Sequence, residues 1–378
     1  MSRYELGKAK VAGKARQPFL RDGDIVNPGM PRVMYDRRMK QKTRSSARPT
    51  QKDIAAAAGV SQAAVSMVLN KSETPSVPAA TRDRILKVAG ELAYRPNHPA
   101  RTLRSARTMT LACIVPDITN PFYPGLVRGL QTTAAPAGYD VLIYDTDGVL
   151  EGERRAMGWL QQGRADGVVG TFFHLRAPDL AAVARGNLPI VRLEGQGKSR
   201  GALPIDSVFI DNARAAAMMT RLLIGRGHRR IAMILGEFGP GKRRALGYET
   251  VMREAGLATE FVTDSTYSEE AGARAMQMLL ASGRQRPTAV FGANDMLAIG
   301  AMQAARSAGL VIPKDIAIVG FDDIPTAKLL GLTTVRQPEF ELGALAARTL
   351  IERLQPGGLK PPGRSLELKF EIVDRSSA

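Results

Sequence analysis

Polar and aromatic side chains recur just after the apolar runs of residues 108–378. Their order along the chain is Asp117, Asn120, Phe122, Tyr123, Glu194, Arg244, Tyr267, Asn294, Asp295, Asp322, Asp323 and Gln337. Carboxylate, amide and guanidinium groups pair with hydroxyls, and flat rings cover the apolar face of a sugar. A single Asn or Asp is more simply explained as a helix cap. Their recurrence at seven strand ends favours a binding site for a small hydroxyl-rich molecule.

The apolar runs must be strands that bring these side chains together. Runs at residues 111–115, 141–144, 167–170 and 189–193 alternate with helical stretches, and the pattern repeats at 207–210, 230–235, 289–292 and 317–319. This alternation predicts parallel sheets, whose ligands bind beyond the carboxyl ends of the strands. The sequence therefore predicts two sheets in tandem with a cleft between them.

Residue types that commonly catalyse reactions are scattered. His98, His174 and His228 show no metal-site spacing, Cys113 lies in an apolar run, and no phosphate-binding loop motif occurs. An enzyme is the rival class, because sheets of this kind often carry catalysis. The sequence speaks against it, and we expect no enzymatic activity, no metal and no cofactor apart from a small-molecule effector.

Length and composition exclude other classes of protein. The 378 residues correspond to two or three domains at about 150 residues each. The single cysteine rules out an internal disulfide. No apolar stretch approaches the roughly 18 residues of a membrane span, and the N-terminus lacks the apolar core of an export signal. We expect a cytoplasmic protein without membrane contact.

Positive charge is concentrated near the N-terminus. Residues 1–107 hold 22 basic and 8 acidic side chains, whereas residues 108–378 hold 31 and 28. Neutralisation of phosphates by Lys and Arg is the physical origin of sequence-independent DNA affinity, so this excess indicates nucleic acid as a partner. Residues 1–49 carry no periodic apolar pattern, and we interpret them as a basic, disordered leader.

A helix-turn-helix is predicted from residue 50 onward. Thr50 and Asp53 have the spacing of a capping box, Gly59 suits a tight turn, and Ser61 can cap a second helix that runs to about Leu69. A third helix places Ile85, Val88 and Leu92 at spacings of three and four. Such a hairpin also occurs as generic packing. The basic charge favours DNA binding.

At this point the chain resembles the LacI (lactose repressor) family of bacterial regulators. The match covers residues 50–105 and includes Ile54-Ala55-x-x-Ala58-Gly59-Val60-Ser61, Val65-Ser66-x-Val68-Leu69-Asn70 and Leu92-Ala93-Tyr94-Arg95-Pro96-Asn97. The resemblance implies that the second helix lies in the major groove, with Gln62 as the leading base reader and Ala63 able to contact a thymine methyl. The predicted DNA contacts of the headpiece, residues 50–96, are Thr50, Ser61, Gln62, Ala63, Ser66, Met67 and Asn70.

Two positions depart from the family pattern. Ala64 stands where threonine is usual and Met67 where arginine is common. The resemblance therefore implies an operator that differs at the position which that arginine would contact.

Residues 97–107 resemble the hinge helix and linker of the family. On this resemblance the DNA contacts there are Asn97, Arg101, Leu103 and Arg104, with Leu103 a wedge between base pairs of the minor groove. A leucine at this spacing could equally be a core residue. The neighbouring arginines make burial costly and favour the wedge.

Residues 108–378 resemble the effector domain of the same family, which shares the two-lobed fold of periplasmic sugar-binding proteins. The matching motifs include Arg244-x-x-Gly247-Tyr248, Ala293-Asn294-Asp295 and Val319-Gly320-Phe321-Asp322-Asp323. The resemblance places effector contacts at Asn120, Phe122, Tyr123, Glu194, Arg244, Tyr267, Asn294, Asp322 and Gln337. Glu194 stands where aspartate is commoner. The implied lobes are residues 108–205 with 338–356, and residues 206–337 with 357–378.

The fold class expected is an all-α headpiece followed by an α/β two-lobed domain with parallel sheets. The expected function is an allosteric transcriptional regulator, a repressor, whose affinity for double-stranded operator DNA depends on a sugar or sugar derivative. The resemblance implies a homodimer on a pseudo-palindromic operator and leaves open whether the effector induces or corepresses. The alternative is a periplasmic-type sugar-binding protein without a regulatory role.

Overall fold

The computed structural model describes residues 49–69, 77–95, 107–186, 188–193, 205–355 and 362–378. The chain forms two compact units that divide between Arg95 and Pro96. The predictions for the leader, Asn70, Asn97, Arg101, Leu103, Arg104 and Glu194 lie outside the described residues.

The first unit is a three-helix headpiece. Its helices are α1 (Gln51–Ala58), α2 (Gln62–Leu69) and α3 (Ala79–Glu91). Each contributes a fully buried β-branched side chain, Ile54, Val65 and Ile85, to a common core. Because two short helices cannot enclose a core alone, α3 is needed to close it.

Local sequence fixes the ends of the first two helices. The Thr50 amide donates to the Asp53 carboxylate at 2.8 Å and the Asp53 amide donates to the Thr50 hydroxyl, which forms the predicted capping box. Gly59 has a φ of 62°, the left-handed conformation that ends α1. The amide of Ala64 donates to the Ser61 hydroxyl at 3.2 Å, so Ser61 caps α2 as predicted.

The second unit alternates strands and helices. Its strands are β1 (Thr110–Val115), β2 (Asp140–Asp145), β3 (Gly167–Thr171), β4 (Ile190–Leu193), β5 (Ile205–Ile210), β6 (Ile231–Gly236), β7 (Glu260–Asp264), β8 (Ala289–Gly292), β9 (Ala317–Val319), β10 (Thr334–Arg336), β11 (Ser365–Leu368) and β12 (Glu371–Val373). Its α-helices are α4 (Phe122–Ala134), α5 (Leu150–Gln161), α6 (Ala177–Arg185), α7 (Asn212–Gly225), α8 (Gly241–Glu254), α9 (Glu269–Ala281), α10 (Asp295–Ser307), α11 (Pro325–Leu329) and α12 (Glu339–Leu354), and a 3₁₀ turn spans Ala135–Ala137.

Two parallel sheets form the cores of two lobes, as the alternation predicts. Within the described residues, the first sheet has the order β11-β5-β4-β3-β1-β2 and the second β7-β6-β8-β9. Strands β10 and β12 form a separate antiparallel pair. None of the helices in the described ranges is long and apolar enough to cross a bilayer.

The prediction was wrong about two strands. The repeat of the pattern places 207–210 in the second sheet and the implied lobes place residues 357–378 in the second lobe, but β5 and β11 pair with each other in the first sheet. Asp206, fully buried on β5, explains the placement. It accepts hydrogen bonds from the Arg353 side chain at 2.6 Å and the Arg364 amide at 2.7 Å. This ionic cluster ties β5 and the start of β11 to α12, and only β12 reaches β10.

Helix α12 returns to the first lobe, as predicted, and packs on α4. The two backbones approach at glycines: a Cβ on Gly343 would lie 1.9 Å from the carbonyl oxygen of Leu126, and one on Gly129 would lie 2.0 Å from that of Phe340. The close approach fixes α4, whose first residues contribute to the site described below.

Candidate functional site

The second helix of the headpiece presents its N-terminal residues outward. Ser61, Gln62 and Ala63 are exposed, and Ser66 and Met67 are half-buried. The opposite face packs Val65 and Val68 into the core. An exposed helix start with a long amide side chain has the form needed to reach base edges in a major groove.

Thr50 lies at the start of α1 and is exposed. Its hydroxyl donates to the Asp53 carboxylate at 2.8 Å, so its role in the capping box is evident in the structure. The hydrogen bonds from Thr50 lower the pKa of Asp53. A structural role therefore accompanies any contact of Thr50 with a phosphate.

A pocket of about 300 Å³ opens at the carboxyl ends of strands from both lobes. Its lining residues are Pro116, Asp117, Asn120, Phe122, Tyr123, Asp147, Gly148, Phe173, Phe238, Pro240, Arg244, Ser265, Thr266, Tyr267, Asn294 and Asp322. Seven of the nine side chains predicted to bind an effector are among them. The tertiary structure thus brings together residues that lie up to about two hundred positions apart in the sequence.

Gln337 is the exception within the described residues. It is buried and absent from the lining, and its amide nitrogen donates to the Asp322 carboxylate at 2.7 Å. The prediction of a direct contact at Gln337 is not supported by this placement. Gln337 instead holds the Asp322 carboxylate through this hydrogen bond.

Arg244 and Asp322 form the polar floor of the pocket. Arg244 is 1% exposed, and its guanidinium donates to Asn212 Oδ1 at 2.8 Å and to the carbonyl oxygen of Ala293 at 2.6 Å. One guanidinium nitrogen lies 3.5 Å from an Asp322 oxygen, and the group stacks on the Phe321 ring at 3.6 Å. The guanidinium is held in one orientation, as recognition of a ligand requires.

Two buried carboxyl groups, Asp322 and Asp295, have raised pKa values. Burial raises the pKa of Asp322 to about 6, against the opposing effect of the Arg244 charge. Burial, with the added charge of Asp322, raises the pKa of Asp295 to about 7. Asp295 accepts hydrogen bonds from the Thr334 hydroxyl at 2.6 Å and the Ile324 amide at 2.9 Å. Asp295 is absent from the pocket lining. Its hydrogen bond with the Ile324 amide instead holds the loop after β9 in place.

The pocket amides also serve as helix and turn caps. Asn294 accepts from the Leu297 amide at 2.9 Å, and its own amide donates to the Tyr267 carbonyl oxygen at 3.3 Å. Asn120 accepts from the Phe122 amide at 3.0 Å. The capping interpretation is confirmed for both residues, and each cap holds its side chain at the edge of the pocket.

Aromatic rings form the walls of the pocket. Phe122 and Tyr123 on α4 meet edge to face with centroids 5.2 Å apart. Across the cleft, the Phe173 ring lies 5.7 Å from Tyr267, and His174 lies 4.3 Å from Phe238. The Tyr267 hydroxyl donates to the Phe238 carbonyl oxygen at 2.6 Å, which fixes that ring.

Sequence reasoning missed several lining residues. Phe173 follows β3, Phe238 follows β6, and Asp147 follows β2, so the strand-end rule would have found them had it been applied to every strand. Strand β7 was not predicted, which left Ser265 and Thr266 without a strand to follow.

The described residues were also compared with the requirements of a metal site. Among the residues that the structure describes, no group of three or more His, Cys, Asp or Glu side chains could hold a metal ion.

Comparisons with known proteins agree with both units. Residues 50–97 match the family model of bacterial regulatory proteins, lacI family, and residues 220–378 match that of the periplasmic binding protein-like domain. The chain is 36% identical over 306 residues to the HTH-type transcriptional regulator DegA of Bacillus subtilis, covering 79% of this chain and 89% of the relative. It is 34% identical over 340 residues to the ribose operon repressor of Escherichia coli, covering 87% and 99%. The crystal structure of the lac repressor dimer bound to operator and an anti-inducer is similar at 26% identity with a TM-score of 0.74, covering 88% of this chain and 99% of that one.

Proposed function

This chain belongs to the LacI family of bacterial transcriptional regulators, and we propose that occupancy of the inter-lobe pocket by a sugar or sugar derivative controls its affinity for operator DNA. It is a DNA-binding transcriptional regulator with an effector domain. The headpiece reads the operator through α2, and the pocket is a recognition site with no catalytic step.

The pocket floor is the observation that carries the sugar proposal. A fixed guanidinium, a carboxylate and two amides face a space of about 300 Å³ whose walls are aromatic. Paired donors and acceptors suit vicinal hydroxyls, and rings suit the C–H face of a pyranose or furanose. A relative that bears the name ribose operon repressor supports the same class of ligand.

The proposed regulator acts in the cytoplasm as a homodimer on a pseudo-palindromic operator. A two-fold dimer presents two equivalent recognition helices, so its site should consist of two half-sites related by the same symmetry. The similarity to a repressor crystallised as a dimer on its operator supports this arrangement. Ligand binding can change operator affinity only as far as the ligand prefers one arrangement of the lobes.

The test selects an operator from random duplex DNA with the purified full chain, then titrates it with and without pentoses, hexoses and their derivatives. We expect sequence-selective binding that weakens with salt and changes by about 5- to 150-fold with one class of sugar. If no sequence is enriched, DNA regulation is wrong. If a sequence is enriched but a non-sugar metabolite alone changes its binding, the sugar assignment is wrong.

A further inference from the structure

A second cavity adjoins the effector pocket. It has a volume of about 520 Å³ and shares Phe173, Phe238 and Pro240 with the pocket. The two spaces therefore share a wall made of these three residues. Its remaining walls come from the start of α6, the end of β4 and the start of α8.

The charge of this cavity is opposite to that of the pocket. Its lining carries Arg176, Arg192, Lys242 and Arg243, and no Asp or Glu occurs among the described residues that line it. The pocket, in contrast, is lined by Asp117, Asp147 and Asp322 with Arg244 as its cation. A concave site lined by one sign of charge concentrates counter-ions, so the cavity favours an anionic group.

Arg192 is the inner cation of the cavity. It lies on β4, and its Nε atom is buried without a hydrogen-bond partner among the described residues. Burial lowers the pKa of Arg192, although the Glu153 charge opposes the shift. The Glu153 carboxylate accepts from the amides of Phe173 at 2.6 Å and Leu175 at 2.7 Å, so it is engaged by this loop. The Nε atom is too buried to be reached from the cavity, so Arg192 contributes its positive charge, and the cost of burying that charge falls when an anion lies nearby.

The start of α8 adds to the positive potential. Lys242 and Arg243 lie in the first turn of this 14-residue helix, and that turn contains no acidic side chain. The helix dipole is positive at this end and disfavours cations there. The Lys242 ammonium lies 6.0 Å from the Phe238 ring centroid, at the boundary between the two spaces. An anion at this boundary would be attracted both by the positive end of the helix dipole and by the cations Lys242 and Arg243.

We propose that the cationic cavity binds the phosphate of a phosphorylated sugar whose ring lies in the effector pocket. The inference rests on the proposed function and specifies its ligand. The carboxylates of the pocket accept hydrogen bonds from the sugar hydroxyls, while the guanidinium and ammonium groups bind the phosphate oxygens. A phosphate monoester carries about −1.5 to −2 charges at pH 7, which matches four lining cations better than a carboxylate does.

The experiment measures binding to the full chain by calorimetry. The ligands are inorganic phosphate, a panel of pentoses and hexoses, their monophosphates, and the corresponding uronates. The variants are Arg192→Gln and the exposed Lys242→Gln, which removes the same charge without disturbing a buried strand. Lys314→Gln, at an exposed position outside both cavities, is the matched control.

We expect one sugar monophosphate to bind about tenfold or more tightly than its neutral parent. Each cavity variant should bind inorganic phosphate and the monophosphate about tenfold more weakly. Its affinity for the neutral sugar should not change. The control variant should bind all of these ligands as the unmodified protein does. Phosphate binding that is undetectable, or equal in all variants, overturns the proposal. If the uronates bind as much more tightly than the neutral sugars as the monophosphates do, the cavity binds a carboxylate and the phosphate assignment is wrong.

Operator binding separates this inference from the proposed function. A protein that binds its operator and responds to a neutral sugar, with no effect of Arg192→Gln or Lys242→Gln, refutes only the phosphate site. A protein that selects no operator refutes the regulatory function, whatever its affinity for phosphate.

Discussion

Single side chains in this protein serve as structural caps and also line the candidate pocket. Asn294 ends the loop after β8 as the cap of α10 and lines the pocket at the same time. Arg244 is fixed by Asn212 and a backbone carbonyl before any ligand binds. Such fixed groups lose little conformational entropy on binding. Gln337 differs from these residues, because it is absent from the pocket lining and donates to the Asp322 carboxylate.

Gln62 is the residue whose replacement should change DNA recognition. Gln62→Ala removes an exposed amide at the start of α2 without disturbing the core. We expect a loss of about 1 to 3 kcal/mol in operator affinity and relaxed preference at one base pair. Fluorescence anisotropy with single-base variants of the selected operator measures both. The exposed Gln303→Ala on α10 is the control, and equal affinities for the two variants would refute the assignment.

Arg244 should control the response to effector. Arg244→Ala leaves buried Asp322 without its cation, and we expect the effector to bind about 2 kcal/mol or more weakly. Operator affinity without effector should remain, because the headpiece is a separate compact unit. Arg253→Ala, exposed at the end of the same helix, serves as the control. A normal response of the Arg244 variant would contradict the pocket assignment.

Asp295 should make folding stability depend on pH. Its pKa rises from 3.8 to about 7 on folding, so the folded protein keeps a proton that the unfolded chain releases. The free energy of unfolding should therefore fall as pH rises from about 4 to about 7, then level off. Asp295→Asn resembles the protonated acid and should reduce this slope in urea unfolding. An unchanged slope would show that Asp295 is ionised in the folded protein throughout.

Helices and strands position these side chains through close backbone contacts and one buried ionic cluster. The approach of α4 and α12 depends on glycine, because a Cβ on Gly343 would overlap the Leu126 carbonyl oxygen. Asp206 joins β5, α12 and the start of β11, so that β11 pairs in the first sheet. Periodicity predicts that these elements exist, whereas their partners depend on contacts between distant residues.

Gly343 offers a direct test of that packing. Gly343→Ala should destabilise the protein by about 1 to 3 kcal/mol, since the helices must separate to admit the methyl group. Gly158→Ala on α5 meets no atom within 4 Å and should be neutral or stabilise by up to about 1 kcal/mol. Urea unfolding followed by circular dichroism compares the two. A Gly343 variant as stable as Gly158→Ala would show that α4 and α12 do not pack at the observed distance.

The whole molecule combines a small reading unit with a two-lobed sensor. Phe173 and His174 of the first lobe meet Tyr267 and Phe238 of the second across the cleft. A ligand bound there contacts both lobes and can favour one arrangement of them. Allosteric control requires this differential contact, which a pocket confined to one lobe could not supply.

The homodimer should require both half-sites of its operator. We expect two chains per duplex in sedimentation experiments, and a steep loss of affinity for a duplex in which one half-site is scrambled, because the second headpiece then binds only non-specifically. A duplex with both half-sites but a spacing changed by half a helical turn should behave similarly. Full affinity for a single half-site would contradict the proposed arrangement.

The sequence by itself determined the local features of this protein. The capping box at Thr50 and Asp53, the turn at Gly59 and the cap at Ser61 depend on residues a few positions apart, so their spacing was sufficient to predict them. The strand-end rule likewise predicted eight pocket residues, because parallel strands place their carboxyl ends at one edge.

Only the tertiary structure decided what depends on distant contacts. An apolar strand carries no mark of the sheet it joins, and β5 was placed by Asp206 with Arg353 and Arg364. Gln337 contacts Asp322 and does not line the pocket, which its position after a strand did not predict. The cationic cavity collects Arg176, Arg192 and Lys242 from three separate elements. These charges interact only after folding brings them close together. Their spacing along the chain does not reveal that proximity.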